Sequence, residues 1–200
     1  MPHQFHPTKA RLIETTSKFL LISHPGEITV DQILEASGIS KGSLYHHFED
    51  FSELLEVAQV AKYSRWVDKS IELIVSVITG VQSRDELIEG VKSITRATQG
   101  PEFSEYRFDR ARIISQSSTS LRFKEALGAE QTRLTSALED LFREAAEKGW
   151  GAPKLDARAL AVFIQAYTLG KIVDDIVKDQ IDPDSWNLLI DTVVDKVFLS

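Results

Sequence analysis

The sequence predicts an all-α protein with a short-helix N-terminal domain followed by a long-helix bundle. Three observations carry that reading. Helix caps and helix stops recur along all 200 residues. No Asn-Gly or Asp-Gly turn separates alternating apolar runs, the usual sign of a hairpin. Helical stretches lengthen near residue 50, so residues 1–50 read as short helices with tight connections and residues 51–200 as long amphipathic helices of a bundle.

The elements follow in order. A first helix is expected over residues 9–23, capped by Thr8 and stopped by His24-Pro25-Gly26. Thr29-Val30-Asp31-Gln32 has the spacing of a capping box and opens a second helix that ends at Ser37-Gly38. A third runs from Ser40 to about Phe48. Asp50-Phe51-Ser52-Glu53 repeats the box spacing and opens a fourth, to about Val67, with a fifth reaching Gly80. Ser83 with Glu86 opens a sixth, stopped by Gly100-Pro101. A seventh covers about 102–117, an eighth about 120–148 with Gly149 as its C-terminal glycine, and a ninth about 156–178. Asp182 followed by Pro183 opens the tenth.

Composition narrows the function classes. The chain is 42% hydrophobic and 26% charged, as ordinary globular proteins are. It has no cysteine, which excludes disulfides, a cysteine nucleophile and thiolate metal sites. No apolar run approaches the roughly 18–20 residues of a membrane span, and the first residues lack a signal-peptide pattern. The expectation is a cytoplasmic protein with no membrane partner. No Gly-x-Ser-x-Gly, His-Glu-x-x-His, Walker A or Gly-x-Gly-x-x-Gly pattern occurs, so no enzyme and no cofactor is expected. His3-x-x-His6 has weak metal-ligand spacing, and His46 and His47 point about 100° apart on a helix. No metal site is expected. The net charge of −7 argues, taken alone, against a nucleic-acid binder.

Residues 29–48 argue the other way. Two short helices meet at a tight turn containing Gly38, the helix-turn-helix pattern. Ile33, Leu34, Ile39, Leu44 and Phe48 face inward, against Leu12, Phe19 and Leu20 of the first helix. Lys41, Gly42, Ser43, Tyr45 and His46 remain on the outer face. Ser40 caps a helix N-terminus whose N–H groups favour phosphate. Lys41 supplies a cation, Gly42 lets backbone approach a base edge, Tyr45 and His47 donate to phosphate, and His46 reaches toward bases.

The run Ile39-Ser40-Lys41-Gly42-Ser43-Leu44-Tyr45-His46-His47-Phe48 resembles the signature of TetR-type bacterial transcriptional regulators, with Thr29, Val30, Ile33 and Gly38 in register before it. The strong resemblance spans about residues 9–55. It implies a homodimeric all-α regulator that binds a palindromic DNA operator and is released by a small-molecule effector. It further implies that Thr29, Ser40, Tyr45 and His47 touch phosphate, while Lys41, Gly42 and His46 sit against bases or their flanking phosphates. The chain departs from the family at Thr15, Thr16, Leu34 and Ser37, which affect packing. It departs also at Phe51, where a phosphate-binding lysine is common. Only Lys9, Arg11, Lys18 and Lys41 stand against seven acids in the first 55 residues. Local placement of cations decides the field at a groove.

The bundle offers a dimer surface and ligand candidates. Ala159, Val162, Phe163, Ala166, Gly170 and Val173 form one stripe of the ninth helix, and Leu160, Ile164 and Tyr167 a second. A helix apolar on two faces is buried twice, so the first stripe is the expected dimer interface. Leu127, Leu134, Leu138, Leu141 and Ala145 make the eighth helix its expected companion. In the seventh helix Arg110 interrupts a face formed by Phe103, Tyr106, Ile113 and Ser117. Two readings stay open for Arg110, a structural ion pair or an anchor for a polar ligand group in an apolar pocket. Tyr63, Trp66, Phe103, Tyr106, Phe108 and Phe123 are candidate pocket walls. Arg107 and Arg112 are expected on a solvated face, with Asp109 paired to Arg112.

Overall fold

Helix α1 (Pro7–Phe19) starts earlier than Thr8 would have it. Pro7 takes the first helical position, where its fixed φ and missing N–H cost nothing. The cap moves to His6, whose Nδ1 accepts from the Thr8 N–H at 3.3 Å. Thr29 caps α2 (Val30–Ser37) through the expected box: the Gln32 N–H donates to Thr29 Oγ1 at 3.4 Å, and the Thr29 N–H donates to Gln32 Oε1 at 2.8 Å. Gly38 ends α2 at φ 64°, a left-handed conformation in which a Cβ is strained. Ser40 then caps α3 (Lys41–His47) by accepting from the Ser43 N–H at 3.2 Å.

Helix α4 (Phe51–Ile78) is a single helix of 28 residues where two were expected, joined near Val67. It contains no proline or glycine to interrupt it. Ser83 caps α5 (Arg84–Gln99), a 3₁₀ turn spans Pro101–Phe103, and α6 (Ser104–Gln116) and α7 (Leu121–Glu147) follow. Gly149 at φ 73° closes α7, with the Trp150 N–H donating to the Ala145 carbonyl at 2.8 Å. The helix expected over 156–178 is broken. Helix α8 (Ala157–Gly170) stops at its glycine, and α9 (Ile172–Asp175) is one turn. Asp174 Oδ1 accepts from the Ile181 N–H at 3.1 Å and holds the chain turned after that break. Asp182 caps α10 (Pro183–Val193), which runs on into a π turn, Val194–Phe198.

This computed structural model describes residues 6–152 and 154–198, and no strand occurs among them. The chain packs as two compact units, Met1–Trp66 with Ser117–Leu127, and Val67–Gln116 with Gly128–Ser200. That is a division by packing, whereas 1–50 and 51–200 was a division by helix length. In the first unit Leu12, Ile13, Leu20, Ile28, Ile33, Leu44, Phe48, Leu54 and Ala58 form one apolar core, with Phe19, Leu34 and Ile39 against it. In the second, α5 packs on α10, and α6 on α8 and α9.

Candidate nucleic-acid interface

The apolar core of the first unit fixes how α3 is presented. Leu44 and Phe48 are buried, so the opposite face of a seven-residue helix must point to solvent. Lys41, Gly42, Tyr45 and His46 are exposed there, and Ser43 and His47 are half-buried at its edges. Thr29 and Ser40 are exposed at the starts of α2 and α3. All eight residues therefore lie in one unit, on the helix-turn-helix. The turn is internally satisfied: the buried Ser37 hydroxyl donates to the Leu34 carbonyl at 3.4 Å and accepts from the Ile39 N–H at 3.3 Å.

Gly42 has no role in the protomer's own packing. A Cβ there would meet nothing within 4 Å, although glycine in a helix costs about 1 kcal/mol relative to alanine. The open space above it is what close approach of another molecule requires.

The acids that follow α3 are occupied. Asp50 Oδ1 accepts from the Glu53 N–H at 2.6 Å and caps α4, while Glu53 Oε2 accepts from the Glu49 N–H at 2.6 Å. Arg122, in the first turn of α7, contacts Glu49 at 3.2 Å, Asp50 at 3.7 Å and Glu56 at 2.7 Å. Its hydrogen bond to Glu56 is the main reason its guanidinium holds its proton more tightly than usual. Sequence reasoning missed Arg122, since its partners lie 66 and 73 residues away. It offsets the acidic run at 49–56 from within the same unit. His47 is shifted the other way: burial first, then the charges of His6, His46 and Lys9, hold its pKa below the ordinary histidine value.

No sequence-family model matches the chain, and no curated protein matches it by sequence. Solved structures match it over nearly its whole length. A TetR-family transcriptional regulator from Mesorhizobium loti superposes with a TM-score of 0.69 at 13% identity, covering 94% of this chain and 93% of that one. A transcriptional regulator from Saccharomonospora viridis in complex with choline gives 0.67 at 15% identity, covering 96% and 97%. GusR of Salmonella enterica gives 0.64 at 19% identity, covering 96% of each chain. The chain has the TetR-regulator fold.

Within this TetR-type fold the candidate ligand residues fall in both units. Tyr63, Trp66 and Phe123 belong to the first, and the Tyr63 and Trp66 ring centroids are 5.5 Å apart. Phe103, Tyr106 and Arg110 belong to the second, with Phe103 and Tyr106 5.9 Å apart. Arg110 is buried, as both of its readings require. The face assigned to α6 needs correction. Phe103 precedes the helix in a 3₁₀ turn, and Tyr106 and Phe108 are exposed. The buried side of α6 keeps Arg110 and Ile113 of that face and adds Arg107.

Arg107 is the larger surprise. It was expected in solvent, yet its side chain and that of Asp175 are 3% and 1% exposed. Arg107 Nε donates to Asp175 Oδ2 at 2.5 Å and Nη2 to Oδ1 at 2.8 Å, a bidentate pair. Nη2 also donates to the Gly100 carbonyl at 3.2 Å and Nη1 to that of Thr98 at 3.5 Å. The fork thus ties the end of α5 and α6 to α9. Arg112 pairs with Asp109 as expected. Nearby in sequence Gln99 is 4% exposed, and its amide oxygen and nitrogen both lack hydrogen-bond partners among the described residues.

The two stripes of α8 separate as expected in burial. Leu160 and Ala161 are buried, and Ile164 and Tyr167 are half-buried. Ala159, Val162, Phe163, Ala166 and Gly170 are exposed, and Val173 continues them past the break on α9. The proposed companion on α7 is corrected, because Leu127, Leu134, Leu138, Leu141 and Ala145 are all buried and have no surface left to offer. Apolar exposure is found instead on α10, where Leu188 is 69% and Leu189 53% exposed, as much as Val162 at 51% and Phe163 at 50% on α8. His3 lies outside the described residues. His6 is a helix cap, and among the described residues no group of three or more potential ligands could hold a metal ion. No helix among the described residues is long and apolar enough to cross a membrane.

Proposed function

We propose that this chain is a DNA-binding transcriptional regulator that acts as a homodimer on a palindromic operator in the bacterial cytoplasm and is released by a small-molecule effector. The observation that carries it is the outer face of α3: Lys41, Gly42, Tyr45 and His46 exposed together on a helix locked from behind by Leu44 and Phe48. The TetR-type fold supports the same reading. Thr29, Ser40, Tyr45 and His47 hold phosphates in this proposal, and Lys41, Gly42 and His46 face the bases. Nothing is done chemically to DNA or effector, and the effector works by favouring a half-site spacing that fits DNA poorly.

Homodimerisation is assigned to the exposed stripe of α8 with Val173, joined by Leu188 and Leu189 of α10. Large apolar side chains exposed in such number mark an interface in soluble proteins. A small-molecule effector is proposed by analogy with the Saccharomonospora neighbour, which is in complex with choline. That analogy extends to a small molecule and not to choline itself.

Selection of genomic fragments by the purified protein tests DNA binding. Lys41→Ala and Tyr45→Ala are expected to lose at least tenfold in affinity for the selected site with unchanged thermal midpoints. Wild-type affinity in both variants would remove α3 as the reading helix. Gly170→Leu tests the dimer. A Cβ at this position meets nothing within 4 Å in the protomer, so the variant is expected to fold and to sediment as monomer.

A further inference from the structure

The first turn of α1 and the last turn of α3 meet in a row of imidazoles. The His6 and His47 ring centroids are 5.1 Å apart at 32°, and the His47 and His46 centroids 5.1 Å apart at 68°. Lys9, one turn along α1, places its Nζ 4.9 Å from the centroid of the Phe48 ring, next to His47 in sequence. His6 is exposed and His47 half-buried at the edge of the outer face of α3. The cap hydrogen bond fixes the tautomer of a neutral His6. Its Nδ1 accepts from Thr8, so its ring proton sits on Nε2, a free-standing N–H donor.

We propose that His6 and Lys9 extend the DNA-binding face from α3 onto α1 as a phosphate-holding edge with His47, and that docking of a DNA phosphate there places a proton on His47. The proposal rests on the DNA-binding reading above.

The electrostatics of the cluster support it. The groups facing His47 are His6 and Lys9 from α1 and His46 from α3, all cationic or able to become so. The acids that follow α3 are engaged by other groups, Glu49 by Arg122 and Asp50 by Arg122 and the Glu53 N–H. In the free protein, partial burial and these neighbours hold the His47 pKa below its ordinary value, so the ring is neutral at pH 7. A phosphate brought against the edge reverses the sign of the local field, since an opposite charge within about 4–6 Å favours the charged imidazole. Binding then takes up a proton, and by linkage affinity rises as pH falls. His6 contributes an N–H donor and Lys9 an ammonium group to the edge at which His47 is held neutral in the free protein.

The test uses the full-length protein and the DNA fragment it selects, with affinity read by fluorescence anisotropy at constant ionic strength between about pH 6 and pH 8. Wild type is expected to bind about tenfold more tightly at the acid end, the effect of one pKa unit on one group. His47→Gln keeps hydrogen-bonding capacity without a titrating ring, and is expected to flatten the pH dependence to within about twofold. His6→Asn retains a good N-cap and so the thermal midpoint. It removes the imidazole, and is expected to weaken binding at least about tenfold, the worth of one hydrogen bond to a charged group. Wild-type pH dependence in His47→Gln, or wild-type affinity in His6→Asn, overturns the proposal while leaving DNA binding intact. A wild-type protein that selects no DNA at any pH overturns the DNA-binding reading, and this proposal with it.

Discussion

Charged side chains sit outside the first unit and inside the second. Lys18 and Glu14 pair across one turn of α1 at 2.8 Å with both side chains about two-thirds exposed, and the core behind them is aliphatic and aromatic. In the second unit Arg107 and Asp175 are enclosed, Lys171 is buried with its Nζ 2.5 Å from Asp174 and 4.0 Å from Asp175, and Gln99 is buried without hydrogen bonds among the described residues. An apolar core tolerates any outer surface, so the headpiece is free to present lysine, tyrosine and histidine to a partner. A core that encloses ion pairs among its apolar residues depends on those partners staying in place.

The largest effect is expected from removing one half of the buried pair. Arg107→Met leaves Asp175 enclosed without its bidentate partner and removes the guanidinium's hydrogen bonds to the Thr98 and Gly100 carbonyls. A loss of about 3–5 kcal/mol in unfolding free energy is expected, read by urea denaturation. Replacing both halves, Arg107→Met with Asp175→Leu, is expected to recover most of it, because the desolvation of two charges is then avoided. A loss below about 1 kcal/mol in the single variant would mean that the pair is solvated in solution. The matching change in the first unit is Leu44→Ala, with an expected loss of about 3 kcal/mol from the cavity alone. Its loss comes from packing alone and should not vary with pH or salt.

The same contrast decides what was legible in the sequence. The headpiece was readable because its signals are local. Thr29 with Gln32, Gly38 and Ser40 specify two helices and a turn within twelve residues, and period-3.6 spacing names Ile33, Leu44 and Phe48 as core. Local signals also gave the Ser83 and Asp182 caps and the two stripes of α8. Periodicity sorts residues by polarity, so it sent Arg107 to the surface. Its partner Asp175 lies 68 residues away, and no local pattern joins them. Arg122 was missed for the same reason. The His6 cap was hidden because threonine is the better cap by preference, and Pro7 outweighed it. The companion of α8 was misassigned because the apolar stripe of α7 looks the same whether its own bundle or a second subunit covers it.

A smaller effect of opposite sign sharpens the comparison. Gln99→Leu replaces a buried amide that has no hydrogen-bond partner among the described residues with an apolar group of similar size. Enclosing an unsatisfied polar group costs about 1–3 kcal/mol, so the variant is expected to be more stable by about 1–2 kcal/mol, read as a higher urea midpoint. A destabilised variant would mean that water reaches the amide and satisfies it. The equivalent substitution in the first unit, Ser37→Ala, is expected to destabilise slightly, because that hydroxyl bonds inside the turn.

The smallest expected effect concerns the end of the chain. Lys92 of α5 holds Asp195 in the π turn at 2.8 Å, with Glu89 at 3.6 Å. The hydrogen bond to Asp195 is the largest of the influences that raise the Lys92 pKa, ahead of the opposing burial and of the charges of Asp195, Glu89 and Asp191. For a lysine whose folded pKa lies above its unfolded value, the stabilisation is complete below the unfolded pKa of about 10.4 and is lost as pH rises through the folded value. Lys92→Met is therefore expected to be less stable than wild type by about 1 kcal/mol or less at neutral pH. Wild type and variant should converge as pH rises through the folded value and wild-type Lys92 gives up its proton. Asp195 is half-exposed, so water serves it when the ammonium is removed. Urea midpoints measured at intervals from about pH 8 upward would show the two curves closing. A constant gap over that range would assign the contribution of Lys92 to its packed methylene stem rather than its charge.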